Sequence, residues 1–182
     1  MDYIKTGKFM SLILRHSPET IGISLDENGW ADVDELLKGM KKKGHNINMF
    51  MLEEIVATNN KKRYSLSDDK TKIRANQGHS INVDVQIKQH TPPPVLYHGT
   101  AERFLDEIKK DGISKRNRQH VHLSEDVETA VSVGKRHGRP VVLRVDAAAM
   151  EQDGFKFWLS ENGVWLCEQV PCRYVSVENI SE

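Results

Sequence analysis

Three consecutive prolines, Pro92–Pro94, constrain the fold of this chain more than any other sequence feature. A run of prolines lacks backbone N–H donors and favours an extended conformation, so a helix or a central strand cannot pass through it. We therefore expect a linker near residue 90 and two domains, residues 1–90 and 91–182. A chain of 182 residues is long enough for two small domains, each with its own core.

The composition excludes several classes of protein. The 26 lysines and arginines balance 26 aspartates and glutamates, so the chain does not coat nucleic acid through bulk charge, whereas a small anion site fits this balance. The sequence has neither a long apolar run nor a charged-then-apolar leader, and we expect a cytoplasmic protein without a membrane span. We expect Cys167 and Cys172 to be reduced thiols rather than a disulfide or metal ligands.

In the first half, the pattern predicts a helix, a turn, two further helices and a hairpin. The first helix is expected to end at Pro18, and the hairpin spans residues 63–74. The expected N-terminal caps are Thr6 for the first helix, Asp32 with Glu35 for the second, and Asn46 or Asn48 for the third. Three helices followed by a hairpin are typical of a winged helix, which is a fold often used on nucleic acid.

In the second half, short strands alternate with helices, which indicates a compact α+β domain. The expected elements are a strand at 95–97, a helix at 101–110, a strand at 121–123, a helix from a Ser124 cap to His137, a strand at 140–145, a hairpin around 161–163 and a strand at 175–177. Neither G-x-G-x-x-G nor G-x-x-x-x-G-K-S/T occurs, so a Rossmann or P-loop nucleotide site is not supported.

Two segments of the first half could carry chemistry. Arg15 and His16 place two basic groups at a predicted helix end, where they could serve catalysis or simply offset the helix dipole. The segment Ile73–Ser80 gathers hydrogen-bonding side chains around Gly78, as in sites for phosphate or sugar hydroxyls and also as in ordinary polar loops.

Two segments of the second half are also candidates. Tyr97–Thr100 is predicted to join a strand to a helix, where a ribose could bind and a phosphate could face the helix N-terminus. His120 and His122 are expected on one face of the following strand. These two histidines could ligate zinc, but no third ligand with suitable spacing is evident, and we expect no metal site.

Taken in order, the motifs resemble the RNA 2′-phosphotransferase family, which removes the 2′-phosphate left at a tRNA splice junction and uses NAD as co-substrate. The matching segments are residues 14–16, 62–64, 73–80, 96–100, 121–124 and 162–166. The resemblance implies an α+β protein with an N-terminal winged-helix-like RNA-binding lobe, residues 1–90. The C-terminal lobe, residues 91–182, is then ADP-ribosyltransferase-like and binds NAD.

The resemblance also implies roles for individual residues. The catalytic residues would be Arg15, His16, Arg63 and Arg118, with Arg116 as the alternative to Arg118. NAD would contact His98, Gly99, Thr100, His122 and Ser124, and the RNA phosphate would contact His79 and Ser80. The implied partners are a tRNA-like RNA carrying a 2′-phosphate and NAD, which is consumed. We expect a monomer that needs no metal.

The implied reaction has two steps. The RNA 2′-phosphate first displaces nicotinamide from NAD and forms an ADP-ribosylated phosphate, and a ribose hydroxyl then attacks that phosphate to release 2′-OH RNA. The second product is ADP-ribose 1″,2″-cyclic phosphate. Val164 stands where many ADP-ribosyltransferases have a catalytic glutamate, and this favours a phosphate acceptor because a phosphate is already anionic. The alternatives are an ADP-ribosyltransferase acting on nucleic-acid terminal phosphates, and a non-catalytic sensor of NAD or RNA ends.

Overall fold

The computed structural model describes residues 3–59 and 61–178 and divides the chain into two compact units. The N-terminal unit ends at Gln86 and the C-terminal unit begins at Ile87. Residues 90–94, which include the three prolines, lie outside helices and strands. Within the described ranges, no helix is long and apolar enough to cross a membrane.

In the part of the N-terminal unit that the structure describes, residues 3–59 and 61–86, there are three α-helices and one three-stranded antiparallel sheet. Its elements are α1 (Tyr3–Arg15), β1 (Trp30–Asp32), α2 (Val33–Lys42), α3 (Met49–Ala57), β2 (Tyr64–Leu66) and β3 (Lys72–Ala75), with a short 3-10 helix at Pro18–Ile21. The order of strands in the sheet is β1-β3-β2. Apolar side chains of all three helices and of the sheet form one buried core, which includes Met10, Leu14, Leu36, Leu52 and Ile73.

The local signals of this unit predicted most of its helix starts. Asp32 caps α2 by accepting from the Glu35 amide at 2.9 Å, and Asn48 caps α3 by accepting from the Met51 amide at 2.9 Å. The predicted hairpin is also confirmed, since β2 and β3 are paired and antiparallel. The Thr6 cap is wrong, because α1 already begins at Tyr3 and Thr6 is buried inside the helix.

Within its described residues, 87–178, the C-terminal unit forms nine short strands, three α-helices and two short 3-10 helices, at Glu102–Phe104 and Cys172–Tyr174. Its elements are β4 (Lys88–Gln89), β5 (Val95–Ala101), α4 (Leu105–Asp111), β6 (Ile113–Ser114), β7 (Val121–Leu123), α5 (Val127–Gly134), β8 (Pro140–Asp146), α6 (Ala147–Gln152), β9 (Trp158–Leu159), β10 (Trp165–Cys167), β11 (Gln169–Val170) and β12 (Val175–Val177). The strand orders are β4-β9-β10-β7, β12-β8-β5 and β11-β6, all antiparallel. The prediction of a mixed α and β protein is confirmed, and its sheets are small and antiparallel.

Strand β5 is longer than predicted. It pairs with β8 from Val95 opposite Asp146 to Ala101 opposite Pro140. Residues 97–100 therefore lie within a strand, and α4 begins only at Leu105. The predicted turn at residues 97–100 is wrong, because pairing with a strand some forty residues later overrides the local turn signal. A short 3-10 helix at Glu102–Phe104 follows β5 and continues into α4, so these residues do precede a helix, as predicted.

The start of α5 also differs from its prediction. Asp126, not Ser124, caps this helix, and its carboxylate accepts from the Thr129 amide at 2.6 Å. Ser124 instead forms a β-bridge with Tyr97, in which each backbone N–H donates to the other residue's carbonyl oxygen at 2.8 Å. The helix ends at Gly134 rather than His137.

Candidate active site

The C-terminal end of α1 meets the polar segment that follows β3. Arg15 is the last residue of α1 and is 8% exposed, and His16 follows it in a half-buried position. The Ser80 amide donates to the Arg15 carbonyl oxygen at 3.0 Å, and the Ser80 hydroxyl oxygen lies 2.9 Å from His16 Nδ1. The fold therefore brings Arg15 and His16 together with Ser80, although more than sixty residues separate them.

His79 lies beneath this group with its ring fully buried. Burial and the positive charges of Arg15, His16 and Arg74 lower the pKa of His79 to about 4. Its ring is therefore neutral at pH 7, and every charge that acts on it is positive. The two permanently charged guanidinium groups near this neutral ring, Arg15 and Arg74, favour an anion nearby.

Tyr64 connects Arg63 to the same region. Its hydroxyl donates to the Gly7 carbonyl oxygen at 2.5 Å and lies 2.6 Å from the Ser11 hydroxyl, which ties β2 to α1. Burial raises the pKa of Tyr64, and the positive charges of Arg15 and Arg63 act in the opposite direction. Both guanidinium groups are thus close enough to influence one phenol.

Asn76 holds the backbone on both sides of Arg63, a feature that the sequence analysis did not assign. Its side-chain amide donates to the Lys62 carbonyl oxygen at 2.8 Å, and its backbone amide donates to the Arg63 carbonyl oxygen at 2.9 Å. The Ser65 hydroxyl donates to its Oδ1 at 2.8 Å. Lys62 has a φ of 40°, so Asn76 stabilises a conformation that a lysine rarely adopts. Its place in the polar segment 73–80 was the available signal.

In the C-terminal unit, His98 has a defined tautomer. Its Nδ1 lies 3.0 Å from the carbonyl oxygen of His122. Because a carbonyl oxygen only accepts, Nδ1 carries the proton and Nε2 of the neutral ring is an acceptor. Burial lowers the pKa of His98, which favours this neutral form.

Gly99 and Thr100 are buried, whereas His122 and Ser124 are half-buried. A Cβ added to Gly99 would meet the Ala130 carbonyl oxygen at 1.8 Å, so this side of the strand faces α5 directly. Alternation along the strand directs the His98 and Thr100 side chains away from that helix. The sequence-predicted residues of this group therefore lie on two neighbouring strands and the bridge between them.

Arg116 and Arg118 have different surroundings. Arg116 forms an ion pair with Glu107, with Nη2 2.8 Å from Oε2, and its guanidinium also lies over the Phe104 ring. Arg118 is surface-exposed, yet partial loss of hydration and the positive charge of Arg136 lower its pKa. Two neighbouring guanidinium groups favour a bound anion, whereas Arg116 already has a carboxylate partner.

The remaining histidine and cysteine candidates form no metal site within residues 3–59 and 61–178. The His120 ring instead lies 5.5 Å from the ring of Trp158, centroid to centroid. Cys167 and Cys172 are free, as predicted. Burial raises the pKa of Cys167 to about 12, so this thiol is not a nucleophile at neutral pH.

Arginines near histidines, as at the end of α1, are suited to binding phosphate groups. A family model described as RNA 2′-phosphotransferase, Tpt1/KptA family, matches residues 2–169. A relative from Flavobacterium johnsoniae, named probable RNA 2′-phosphotransferase, is 54% identical over 173 residues, which cover 95% of each chain. A relative of the same name from Fusobacterium nucleatum is also 54% identical, over 94% of this chain and 97% of its own. Another from Hahella chejuensis is 54% identical over 96% of this chain and 94% of its own.

The chain therefore belongs to the RNA 2′-phosphotransferase family, and it is a transferase. The resemblance drawn from the motifs is confirmed.

Proposed function

We propose that this protein is an NAD-dependent RNA 2′-phosphotransferase that converts an internal RNA 2′-phosphate to a 2′-hydroxyl. The other products are nicotinamide and ADP-ribose 1″,2″-cyclic phosphate, and an ADP-ribosylated RNA phosphate is the intermediate. The observation that carries the proposal is the positive group at the end of α1, where Arg15, His16 and Ser80 meet above the buried His79. Membership of the family supports the same activity.

Arg15 and Arg63 bind the RNA 2′-phosphate. A phosphate monoester is already anionic at pH 7, so it needs orientation rather than deprotonation before it attacks a carbon centre. A guanidinium group stays charged and donates two parallel hydrogen bonds to phosphate oxygens. The same fixed charges then stabilise the phosphoryl transfer of the second step, in which negative charge spreads over the phosphate oxygens.

His16 moves the proton in the second step. The attacking ribose hydroxyl loses a proton, and the departing RNA 2′-oxygen gains one. An imidazole is suited to both tasks because its ordinary pKa lies near pH 7. We propose that His79, whose ring is fully buried, supports this group from beneath rather than contacting the RNA phosphate itself.

The C-terminal unit binds NAD, and the surroundings of its residues fit that ligand. Neutral His98 offers Nε2 as an acceptor for a ribose hydroxyl, and His122 holds it in that tautomer through its carbonyl oxygen. Thr100 and Ser124 complete this side of the NAD site, and Gly99 allows α5 to pack closely behind it.

Arg118, rather than Arg116, is the fourth catalytic residue. The ion pair with Glu107 engages Arg116, whereas the positive charge of Arg136 beside Arg118 favours an anionic ligand there. Since both substrates carry phosphate groups, such a ligand is available in each of them.

We also propose the lobe types that the resemblance implies. Three helices with a three-stranded antiparallel sheet support a winged-helix-like RNA lobe that ends at Gln86. Small antiparallel sheets with helices α4 to α6 support an ADP-ribosyltransferase-like NAD lobe from Ile87 onward.

The test uses a short RNA with one internal 2′-phosphate, incubated with the purified protein with and without NAD. We expect 2′-OH RNA only with NAD, with one nicotinamide released for each phosphate removed, and no effect of EDTA. His16→Ala should stop turnover or accumulate the ADP-ribosylated RNA. Consumption of NAD with RNA ends but not with 2′-phosphate would favour the terminal-phosphate alternative. Binding without any NAD consumption would favour the sensor.

A further inference from the structure

We propose that Ser80 is a positioning residue that holds the His16 imidazole through Nδ1. This inference rests on the proposed function, in which His16 transfers protons. Its basis is the 2.9 Å separation between the Ser80 hydroxyl oxygen and His16 Nδ1. Ser80 thereby acts on the reaction through His16 and not through a bond of its own to the RNA phosphate.

The backbone fixes Ser80 without help from its side chain. The Ser80 amide donates to the Arg15 carbonyl oxygen at 3.0 Å, which anchors the residue to the end of α1. The preceding residue, His79, is fully buried, and Gly78 turns the chain with a φ of 87°. The hydroxyl is therefore presented to His16 from a rigid support, and removing it leaves the backbone bond in place.

A hydroxyl suits a histidine that changes its protonation state. With Ser80 at Nδ1, the nitrogen that takes up and returns the proton is Nε2, so the neutral ring carries its own proton on Nδ1. The Ser80 hydroxyl oxygen then accepts from Nδ1–H both before and after Nε2 is protonated. The same partner can thus keep the ring in one orientation before and after proton transfer. A carboxylate in this place would favour the imidazolium instead, and would oppose the return of the proton.

The kinetic test compares Ser80→Ala and Ser80→Thr with Ser24→Ala, which alters another exposed serine of the N-terminal unit. We expect Ser80→Ala to lower kcat for 2′-phosphorylated RNA by about 10- to 100-fold, since small misplacements of catalytic groups have effects of this size. KM for RNA should change little. Ser80→Thr should retain most activity because it keeps the hydroxyl, and Ser24→Ala should match the parent protein.

A binding test separates positioning from direct phosphate contact. Affinity for 2′-phosphorylated RNA is measured for His16→Ala and for the double variant His16→Ala/Ser80→Ala. We expect equal affinities, because Ser80 acts only through His16. A weaker double variant would show that Ser80 contacts the phosphate, and would overturn the proposal, as would an unchanged kcat in Ser80→Ala.

A spectroscopic test does not depend on activity. In protein with ¹⁵N-labelled histidine, the signals of His16 are identified by their loss in His16→Ala. We expect Ser80→Ala to shift the His16 Nδ1 signal and Ser80→Thr to restore it, whereas an unchanged signal in Ser80→Ala would overturn the proposal. If the parent protein does not remove RNA 2′-phosphates, the proposed function fails while this spectrum still decides the role of Ser80.

Discussion

The substitution Gly99→Ala tests how closely α5 packs against β5. An added Cβ would lie 1.8 Å from the Ala130 carbonyl oxygen, 2.7 Å from its carbonyl carbon and 3.0 Å from the Gly134 amide nitrogen. Ordinary van der Waals contact begins at 3.4 Å. All three neighbours are backbone atoms of one helix, so no side-chain rotation relieves the clash. The helix must move away from the strand by well over an ångström.

The cost of this displacement follows from the loss of packing. Overpacking a core costs about 1 to 3 kcal/mol where neighbours can adjust, and we expect the upper end or more here because backbone opposes backbone. A loss of about 3 kcal/mol in a unit of this size lowers Tm by more than about 10 °C. NAD-dependent activity should fall with it, because His98 and Thr100 flank the substituted position.

The assay is thermal and urea-induced unfolding, followed by tryptophan fluorescence, since two of the three tryptophans, Trp158 and Trp165, lie in the C-terminal unit. The matched control is Gly154→Ala, where an added Cβ meets nothing within 4 Å and φ is +90°. This control should lose only about 1 kcal/mol, from the strained backbone. If Gly99→Ala is no less stable than Gly154→Ala, the close packing of α5 against β5 is refuted.

Three further predictions concern the site. Arg118→Ala should lower turnover by about 100-fold or more, since it removes a fixed charge from a phosphate site. Arg116→Ala loses only an exposed ion pair, worth at most about 1 kcal/mol, and should stay nearly as active as the parent protein. Equal losses of turnover in steady-state assays would contradict the assignment of Arg118. In the unfolded chain His79 has its ordinary pKa near 6.5, whereas burial lowers this pKa to about 4 in the folded protein. The free energy of unfolding is therefore unaffected by His79 above pH 6.5 and decreases as pH falls from 6.5 to about 4, by about 3 kcal/mol in all. A His79 NMR signal that titrates near pH 6.5 would refute this. Asn76→Asp keeps an acceptor for the Ser65 hydroxyl but loses the donor to the Lys62 carbonyl oxygen. We therefore expect the free energy of unfolding in urea to fall by about 1 to 3 kcal/mol and KM for RNA to rise. Ser65→Ala keeps the hydrogen bond to Lys62 and should show the smaller rise in KM.

Local signals predicted the elements whose formation depends on neighbouring residues. Asp32 and Asn48 cap their helices because each side chain reaches an amide three residues later, and a tight hairpin joins β2 to β3. The extent of β5 could not be predicted in this way. Its residues 97–100 carry turn-like signals, and only pairing with β8 extends the strand through them.

The candidate site was predictable as a set of motifs but not as an arrangement. The order of the motifs led to Arg15, His16 and Arg63, because their neighbours in sequence are distinctive. The contact of His16 with Ser80 depends on a chain reversal of sixty-four residues, and the burial of His79 depends on the whole core. The proposal of Arg118 over Arg116 likewise rests on the ion pair between Arg116 and Glu107, which spacing does not reveal.

The central claim is that the RNA phosphate is transferred to ADP-ribose and not hydrolysed. The most direct test follows an RNA whose internal 2′-phosphate carries ³²P, incubated with the protein and NAD. We expect all released label to appear in ADP-ribose 1″,2″-cyclic phosphate, and none to be released without NAD. Label recovered as inorganic phosphate, or released equally without NAD, would contradict it.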